Sequence, residues 1–425
     1  MDFLEELEWR GMLHDKTPGI KEALASGKVV GYIGFDPTAP SLTIGNYVQL
    51  MLLSFFQKSG HQPIVLMGGA TGRIGDPSGK DKERVLKTEE ELDSNLHFQL
   101  EQAKRFLDFD CEGNPALIVN NYDFYKDMNV LEFLRKVGKN LTVSYMMSKD
   151  SVKNRLETGL SFTEFSYQLL QAYDFQCLYE QYNCILQMGG SDQWGNITSG
   201  TEFIRRNIED GKAYAVTTPL LTKSDGSKFG KSSDGNIWLD PTLTSPYKFY
   251  QYWLKSDDRD LPKFMRYFSF KTKEEILQLE EDFKEDLQSL KKLFAEEITK
   301  QVHGDLSFKS AQMVSELIFN KKLNAETLKQ MSAEDLLAIS YEIPSKTLSN
   351  SLLASSPSIV DLLVESVGIY ESNSALRRAI KGNALSVNKV KVQDYEMNIS
   401  NANLLQNQYL LVENGKKEKH LIVFN

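Results

Sequence analysis

KVVGYIGFDPTAPSLTIGNYVQL, residues 28–50, decides the fold. An apolar run ends at Gly34, Pro37 and Pro40 stiffen the loop, and Ile44-Gly45-Asn46 enters an apolar helical stretch reaching about Lys58. A short apolar run closing on glycine is the pattern of a strand buried in a parallel sheet. The loop that follows then lies at the carboxyl edge of that sheet, where open α/β folds bind their ligands. Gly45 lets another group lie against the helix start.

The same texture continues outward. QPIVLMGG (62–69), ALIVNN (116–121), CILQMGG (184–190) and AYAVTTPLL (213–221) read as further strands. Thr88 with Glu91 makes a capping box that opens a helix toward Phe106. Strands separated by helices give an open parallel α/β sheet over residues 1–240. After about Pro241 the pattern turns helical. Leu287, Leu290, Phe294, Ile298 and Val302 share one face of a long amphipathic helix, and 241–325 is read as all-α. Ser- and Pro-rich EIPSKTLSNSLLASSPS (342–358) marks a boundary, so 326–349 is read as a linker and 350–425 as a small α+β module.

At 425 residues the chain is long enough for two or three domains, and 41% hydrophobic with 25% charged residues is ordinary for a globular protein. No apolar run approaches a membrane span, and the acidic opening MDFLEELEWR is not a signal peptide. Three cysteines without a Cys-x-x-Cys pair, and five scattered histidines, argue for a reducing compartment and against zinc. A net charge of −9 taken alone argues against nucleic acid. The segment from Ser372 onward, however, holds eight Lys+Arg against four Asp+Glu, a basic tail on an acidic body.

Polar groups stand where apolar ones are expected. In TEFSYQLLQAYDF (163–175), which Thr163 can cap, Tyr167, Gln171 and Asp174 share one helical face among apolar neighbours. A carboxylate on so apolar a helix needs a partner, which makes a polar pocket wall the favoured reading over a solvated face. LQMGGSDQWGN (186–196) runs a strand into Gly189-Gly190, and Ser191 can cap the next helix, whose start attracts anions. GGATGRIGDPSGK (68–80) is no Walker loop, because Ile74 stands where glycine is needed and Asp81 where Ser or Thr should hold magnesium. DGSKFGKSSDG (225–235) sets Lys228 and Lys231 three apart on a glycine-rich stretch, read as a mobile loop between two cations.

In this order and spacing the segments resemble the bacterial tyrosyl-tRNA synthetases, a class I aminoacyl-tRNA synthetase family, over essentially the whole chain. TIGN (43–46) stands where the family's HIGH signature stands, and KFGKS (228–232) where KMSKS stands. The resemblance implies a Rossmann-like catalytic domain, an α-helical anticodon-side domain and an S4-like RNA-binding domain. It implies a tyrosine–tRNA ligase that joins L-tyrosine to the α-phosphate of ATP, releases pyrophosphate and charges tRNA(Tyr). Mg²⁺ enters as the ATP complex, and a cytoplasmic homodimer is expected.

It also implies roles. Tyr32 and Asp174 meet the phenol; Gln171, Tyr167 and Asp76, with Gln187, hold the amino acid. Asp36, Gln193 and Asp192 meet carboxylate or ribose, where Gly34, Gly45 and Gly190 allow close approach. Thr38, Thr43, Asn46, Lys80, Arg84, Lys228 and Lys231 act on the phosphates and pyrophosphate. Arg377, Arg378, Lys381, Lys389 and Lys391 contact RNA, and Arg205 and Arg206 the acceptor arm. A polar pair in a closed pocket is left unpaired by phenylalanine. The resemblance to this enzyme class implies a rejection of about 10⁵.

One departure is Thr43, where the family usually carries histidine; its shorter neutral hydroxyl is expected to donate more weakly, or a lysine to compensate. A tryptophanyl enzyme is the nearest alternative, disfavoured because an indole N–H only donates and needs no Tyr32–Asp174 pair. A catalytically impaired RNA-binding relative is the alternative from another class, and a different nucleotidyl transferase leaves the basic tail unexplained.

Overall fold

The computed structural model describes residues 2–78, 87–149, 152–153, 155, 159–232, 235–319, 324–415 and 418–425. Its chain forms two compact units, Met1–Ser245 with Tyr252–Val302, and Pro246–Gln251 with His303–Asn425.

The first unit is built on strands β1 (Asp15–Lys16), β2 (Val30–Phe35), β3 (Gln62–Met67), β4 (Leu117–Asn120), β5 (Cys184–Gly190) and β6 (Tyr214–Thr218), in the order β1-β6-β5-β2-β3-β4. All pairs are parallel except the edge pair β1–β6. The chain leaves β2 for β3 on one side and later lays β5 on the other, so β2 and β5 flank a topological switch point. Both strands are apolar on both faces because helices cover them. Tyr32, Ile64, Leu66, Val119, Phe175, Leu178, Cys184 and Ile204 form one core cluster.

Helix α1 (Ile44–Lys58) follows β2, and α2 (Glu89–Ala103) opens on the Thr88–Glu91 capping box. Helix α3 (Phe162–Tyr182) is capped by Ser161 instead of Thr163, because the helix starts one residue after Ser161 and its hydroxyl accepts from Glu164 N–H. Ser191 does not cap α4 (Trp194–Asn207): residues 191–193 form a 3₁₀ turn with Gly190 at its start and no side-chain cap. The amphipathic run Leu287–Phe319 is broken at Gly304, where φ is 84°. Leu290, Phe294, Ile298 and Val302 are buried as the spacing required, while Leu287 at the helix start is exposed; the first helix ends just beyond Val302. Among the described residues no helix is long and apolar enough to cross a membrane, and Cys111, Cys177 and Cys184 are free.

Near the lysine loop, β7 (Lys231–Ser232) pairs with β8 (Gly235–Asn236). The second unit carries β9 (Ser345–Leu348), β10 (Leu385–Val387), β11 (Val390–Lys391), β12 (Tyr409–Asn414) and β13 (Glu418–Phe424), ordered β11-β10-β12-β13-β9. Helix α5 (Asn373–Lys381) buries Leu376 and Ile380. Residues 326–349, expected as a linker, hold most of helix Ala325–Lys329, helix Ala333–Ser340 and β9, which pairs in parallel with β13. The reason is plain in the side chains. Leu328, Met331, Leu336 and Ile339 share a core with Leu411 and Leu421. β9, an edge strand, shows mostly exposed polar side chains, so its composition reads as loop while its backbone is paired.

Candidate active site

A cavity of about 330 Å³ opens at the switch point, lined by the carboxyl ends of β2 and β5, the start of α1 and one face of α3. It gathers Tyr32, Gly34, Asp36, Thr38, Gly45, Asn46, Asp76, Tyr167, Gln171, Asp174, Gln187, Gly190, Asp192 and Gln193. Thr43, Lys228 and Lys231 are not among its lining residues. Lys80 and Arg84 lie outside the described residues.

Asp174 is 1% exposed. Its carboxylate accepts from Tyr125 OH at 2.7 Å and from Asn121 Nδ2 at 2.8 Å. Burial pushes this carboxyl up to about 7, against the downward pull of those two hydrogen bonds. Tyr32 faces the same cavity and is fully buried; burial first, and the Asp174 charge second, push its phenol well above the ordinary range. It therefore stays a hydrogen-bond donor at neutral pH. The Tyr32 hydroxyl and Oε1 of Gln171 and Gln187 have no hydrogen-bond partner among the described residues. A buried polar atom without a partner is costly in an ordinary core and expected in a binding site.

Two further carboxylates shape the walls. Asp36 accepts from Thr71 Oγ1 at 2.7 Å and Tyr167 OH at 2.9 Å. Gly68 is required there, because a Cβ would overlap Asp36 Oδ1. Asp76 accepts from Gln193 Nε2 at 2.7 Å and from the Ser78 N–H at 2.9 Å, with Asn196 Nδ2 bridging to Ser78 Oγ at 3.1 Å. Each of these two acids has its carboxylate orientation fixed before any ligand arrives.

The TIGN segment pairs through its backbone with residues 237–239, just beyond KFGKS, and Ile237 N–H in turn donates to Gly230 O. Ile44 N–H donates to Ile237 O, and Leu239 N–H to Leu42 O, each at 2.9 Å. Thr43 is the N-cap of α1: its hydroxyl donates to Asn46 Oδ1 at 2.8 Å and accepts from Asn46 N–H at 3.4 Å. The donor expected to face phosphate is thus turned into the cap, while Asn46 lines the cavity. Thr43→Ala is expected to cost about 1 kcal/mol of stability by chemical denaturation, and Thr43→Ser to retain it. Equal stability of all three proteins would contradict this.

The lysine stretch is not free of packing. Phe229 enters an aromatic cluster, its ring centroid 5.2 Å from Phe264 and 5.5 Å from Phe268. Those partners lie some forty residues later, so no local pattern announces them. Lys228 and Lys231 keep exposed side chains.

Asn121, Tyr125, Thr71 and Asn196 belong to the site and were not singled out by sequence. Asn121 follows β4 at the same carboxyl edge, a position that could have drawn notice; Tyr125 carries no such signal.

In the second unit, Arg377, Arg378, Lys381 and Lys391 are exposed, and Arg377 stacks on Tyr395 at 4.7 Å. Lys389 is a correction. Its side chain is 9% exposed and its Nζ donates to Glu413 at 2.8 Å, so reaching a phosphate means breaking a buried pair. Arg205 and Arg206 both pair with Glu202, and Arg205 is exposed.

Residues 25–320 match the family described as tRNA synthetases class I (W and Y), and 336–422 the Tyrosine--tRNA ligase SYY-like C-terminal domain. The tyrosine–tRNA ligase of Cytophaga hutchinsonii is 52% identical over 428 residues, spanning 100% of each chain. That of Porphyromonas gingivalis is 49% identical over 430 residues, again with 100% of each chain. The solved mitochondrial tyrosyl-tRNA synthetase of Aspergillus nidulans, C-terminally truncated, superposes with a TM-score of 0.67 at 29% identity, covering 75% of this chain and 94% of that one. The match of the tail and the full-length relatives both favour tyrosine over tryptophan, and the chain belongs to the class I tRNA synthetases, among the tyrosine–tRNA ligases.

Proposed function

We propose that the cavity at the switch point is where L-tyrosine and ATP meet, and that its residues divide the work as follows. The substrate phenol donates to Asp174 and accepts from Tyr32. Tyr167, Gln171, Asp76 and Gln187 receive the ammonium group and its neighbourhood. Asp36, Asp192 and Gln193 take ribose or carboxylate, with Gly34, Gly45 and Gly190 permitting close approach. Thr38 and Asn46 of the cavity face the phosphates, with Lys228 and Lys231 reaching them from outside its lining and Lys80 and Arg84, outside the described residues, joining them. The observation that carries this reading is a buried Tyr32 hydroxyl without a protein partner in the same cavity as a buried Asp174 carboxylate. A phenol supplies one acceptor and one donor, which is what that pair lacks.

One oxygen of the substrate carboxylate attacks the α-phosphorus, and the bond to the bridging oxygen of pyrophosphate breaks. The carboxylate is already ionised at neutral pH, so the step needs no general base. Its rate comes from in-line positioning and from cations on the leaving group. Mg²⁺ enters with ATP. Among the described residues no group of three His, Cys, Asp or Glu could hold a metal ion by itself.

The second substrate is tRNA(Tyr), met by Arg377, Arg378, Lys381 and Lys391 on the second unit and by Arg205 and Arg206 on the first. A cytoplasmic homodimer completes the reading, supported by free cysteines and by Val130, Leu131 and Phe162, which are 70%, 69% and 75% exposed. A monomer in sedimentation at micromolar concentration would remove the dimer.

ATP–pyrophosphate exchange with each amino acid in turn tests the whole reading. Exchange with tyrosine alone is expected. Exchange with tryptophan, or with none, overturns it.

A further inference from the structure

Phe229 sits between the two lysines, and its surroundings give it more than a filling role. Its ring stacks on Phe268, centroids 5.5 Å apart and planes 22° apart. Phe268 in turn stacks on Tyr47 of α1, at 5.0 Å and 20°. One aromatic column thus joins the helix that TIGN opens to the loop that carries both lysines. Phe264 and Trp253 close on Phe229 from other sides, at 5.2 and 6.1 Å.

The backbone beside the ring is held as well. Gly230 N–H donates to Tyr252 OH at 3.3 Å, and Gly230 O accepts from Ile237 N–H at 3.0 Å. Lys223 Nζ donates to Lys231 O at 3.0 Å. Gly230 adopts φ +85°, and a Cβ there would lie 2.8 Å from Ile44 Cγ2. The backbone at Gly230 therefore rests directly against the start of α1, while the Lys228 and Lys231 side chains are exposed.

We propose that Phe229 is a positioning residue for adenylate formation. Its ring latches the loop onto the Tyr47–Phe268 column and so sets where Lys228 and Lys231 stand relative to Asn46. A lysine fixed in place stabilises a developing charge; the same lysine on a loose loop first has to be ordered. Aromatic stacking is weak enough to release and re-form as the loop opens for pyrophosphate to leave. The inference rests on the reading of the two lysines as phosphate ligands.

The experiment is steady-state ATP–pyrophosphate exchange and equilibrium tyrosine binding on the full-length chain, for Phe229→Ala, Phe229→Leu and Lys231→Ala. Phe229→Ala is expected to lower kcat by on the order of 10²-fold and raise KM for ATP, with tyrosine affinity within twofold of the parent. Phe229→Leu, which keeps apolar volume and loses the stack, is expected to fall between the two. A merely structural role would instead weaken tyrosine binding and thermal stability together with the rate, and that outcome refutes the latch. Phe229→Ala at parental rate while Lys231→Ala fails also refutes it, leaving the lysine reading intact. Parental rates in both variants refute the lysine reading too.

Discussion

Asp174→Asn is expected to lower kcat/KM for tyrosine by about 10²-fold or more while leaving that for phenylalanine nearly unchanged, so selection between the two collapses. The carboxylate offers about four acceptor sites on two oxygens, enough for Tyr125, Asn121 and a substrate phenol at once. An amide of the same shape has one oxygen, and its NH₂ must face one of the two protein donors. The phenol then competes for a single neutral acceptor. Phenylalanine makes no bond to this group and has nothing to lose. ATP–pyrophosphate exchange with both amino acids reads the ratio. A ratio held at the parental value would mean that the phenol is recognised elsewhere.

The same carboxyl fixes a pH dependence. Burial holds the free Asp174 at about 7, above the ordinary carboxylate range, so the unliganded fold binds its proton more tightly than the unfolded chain. That contribution to stability is complete below the ordinary carboxylate pKa and is lost as pH rises through about 7. Tyrosine reverses the preference, because a phenol donates more strongly to the ionised form than to the neutral carboxyl. Affinity for tyrosine is therefore expected to fall by up to about tenfold per pH unit below that point.

Lys228→Ala and Lys231→Ala carry the second large effect. Each is expected to lower kcat for exchange by about 10²–10³-fold with tyrosine affinity unchanged, as loss of a charge aimed at the transition state does. Both side chains are exposed, so their removal leaves no buried partner and little change in stability. A rise in KM for tyrosine with kcat intact would assign them to ground-state binding of the wrong substrate. Thr43→Ala contrasts with both, because its hydroxyl is spent on the α1 cap and the loss appears in stability.

How far the sequence reaches depends on distance along the chain. β2, β5 and α1 begin and end close to where apolar runs, glycines and the TIGN segment place them, since each is written in consecutive residues. Tyr167, Gln171 and Asp174 were legible because one helix turns them to one face. Asn121 and Tyr125 were not, although they hold Asp174 from 53 and 49 residues away. The packing of Phe229 was hidden for the same reason: its partners lie on the helix Leu261–Phe268 and announce nothing locally. Lys389 misled because charge counts say nothing of burial; it sits in the turn between β10 and β11, and Glu413 of β12 claims it there. β9 misled because an edge strand with polar side chains has the composition of a linker.

Titration calorimetry of tyrosine binding in buffers of different ionisation enthalpy, from pH 5.5 to 8.5, reaches the central claim most directly. Binding is predicted to release a proton below about pH 7, with affinity rising to a plateau above it, and Asp174→Asn is predicted to abolish both. Affinity that is flat across this range in the parent protein, or a pH dependence that survives Asp174→Asn, would contradict the account.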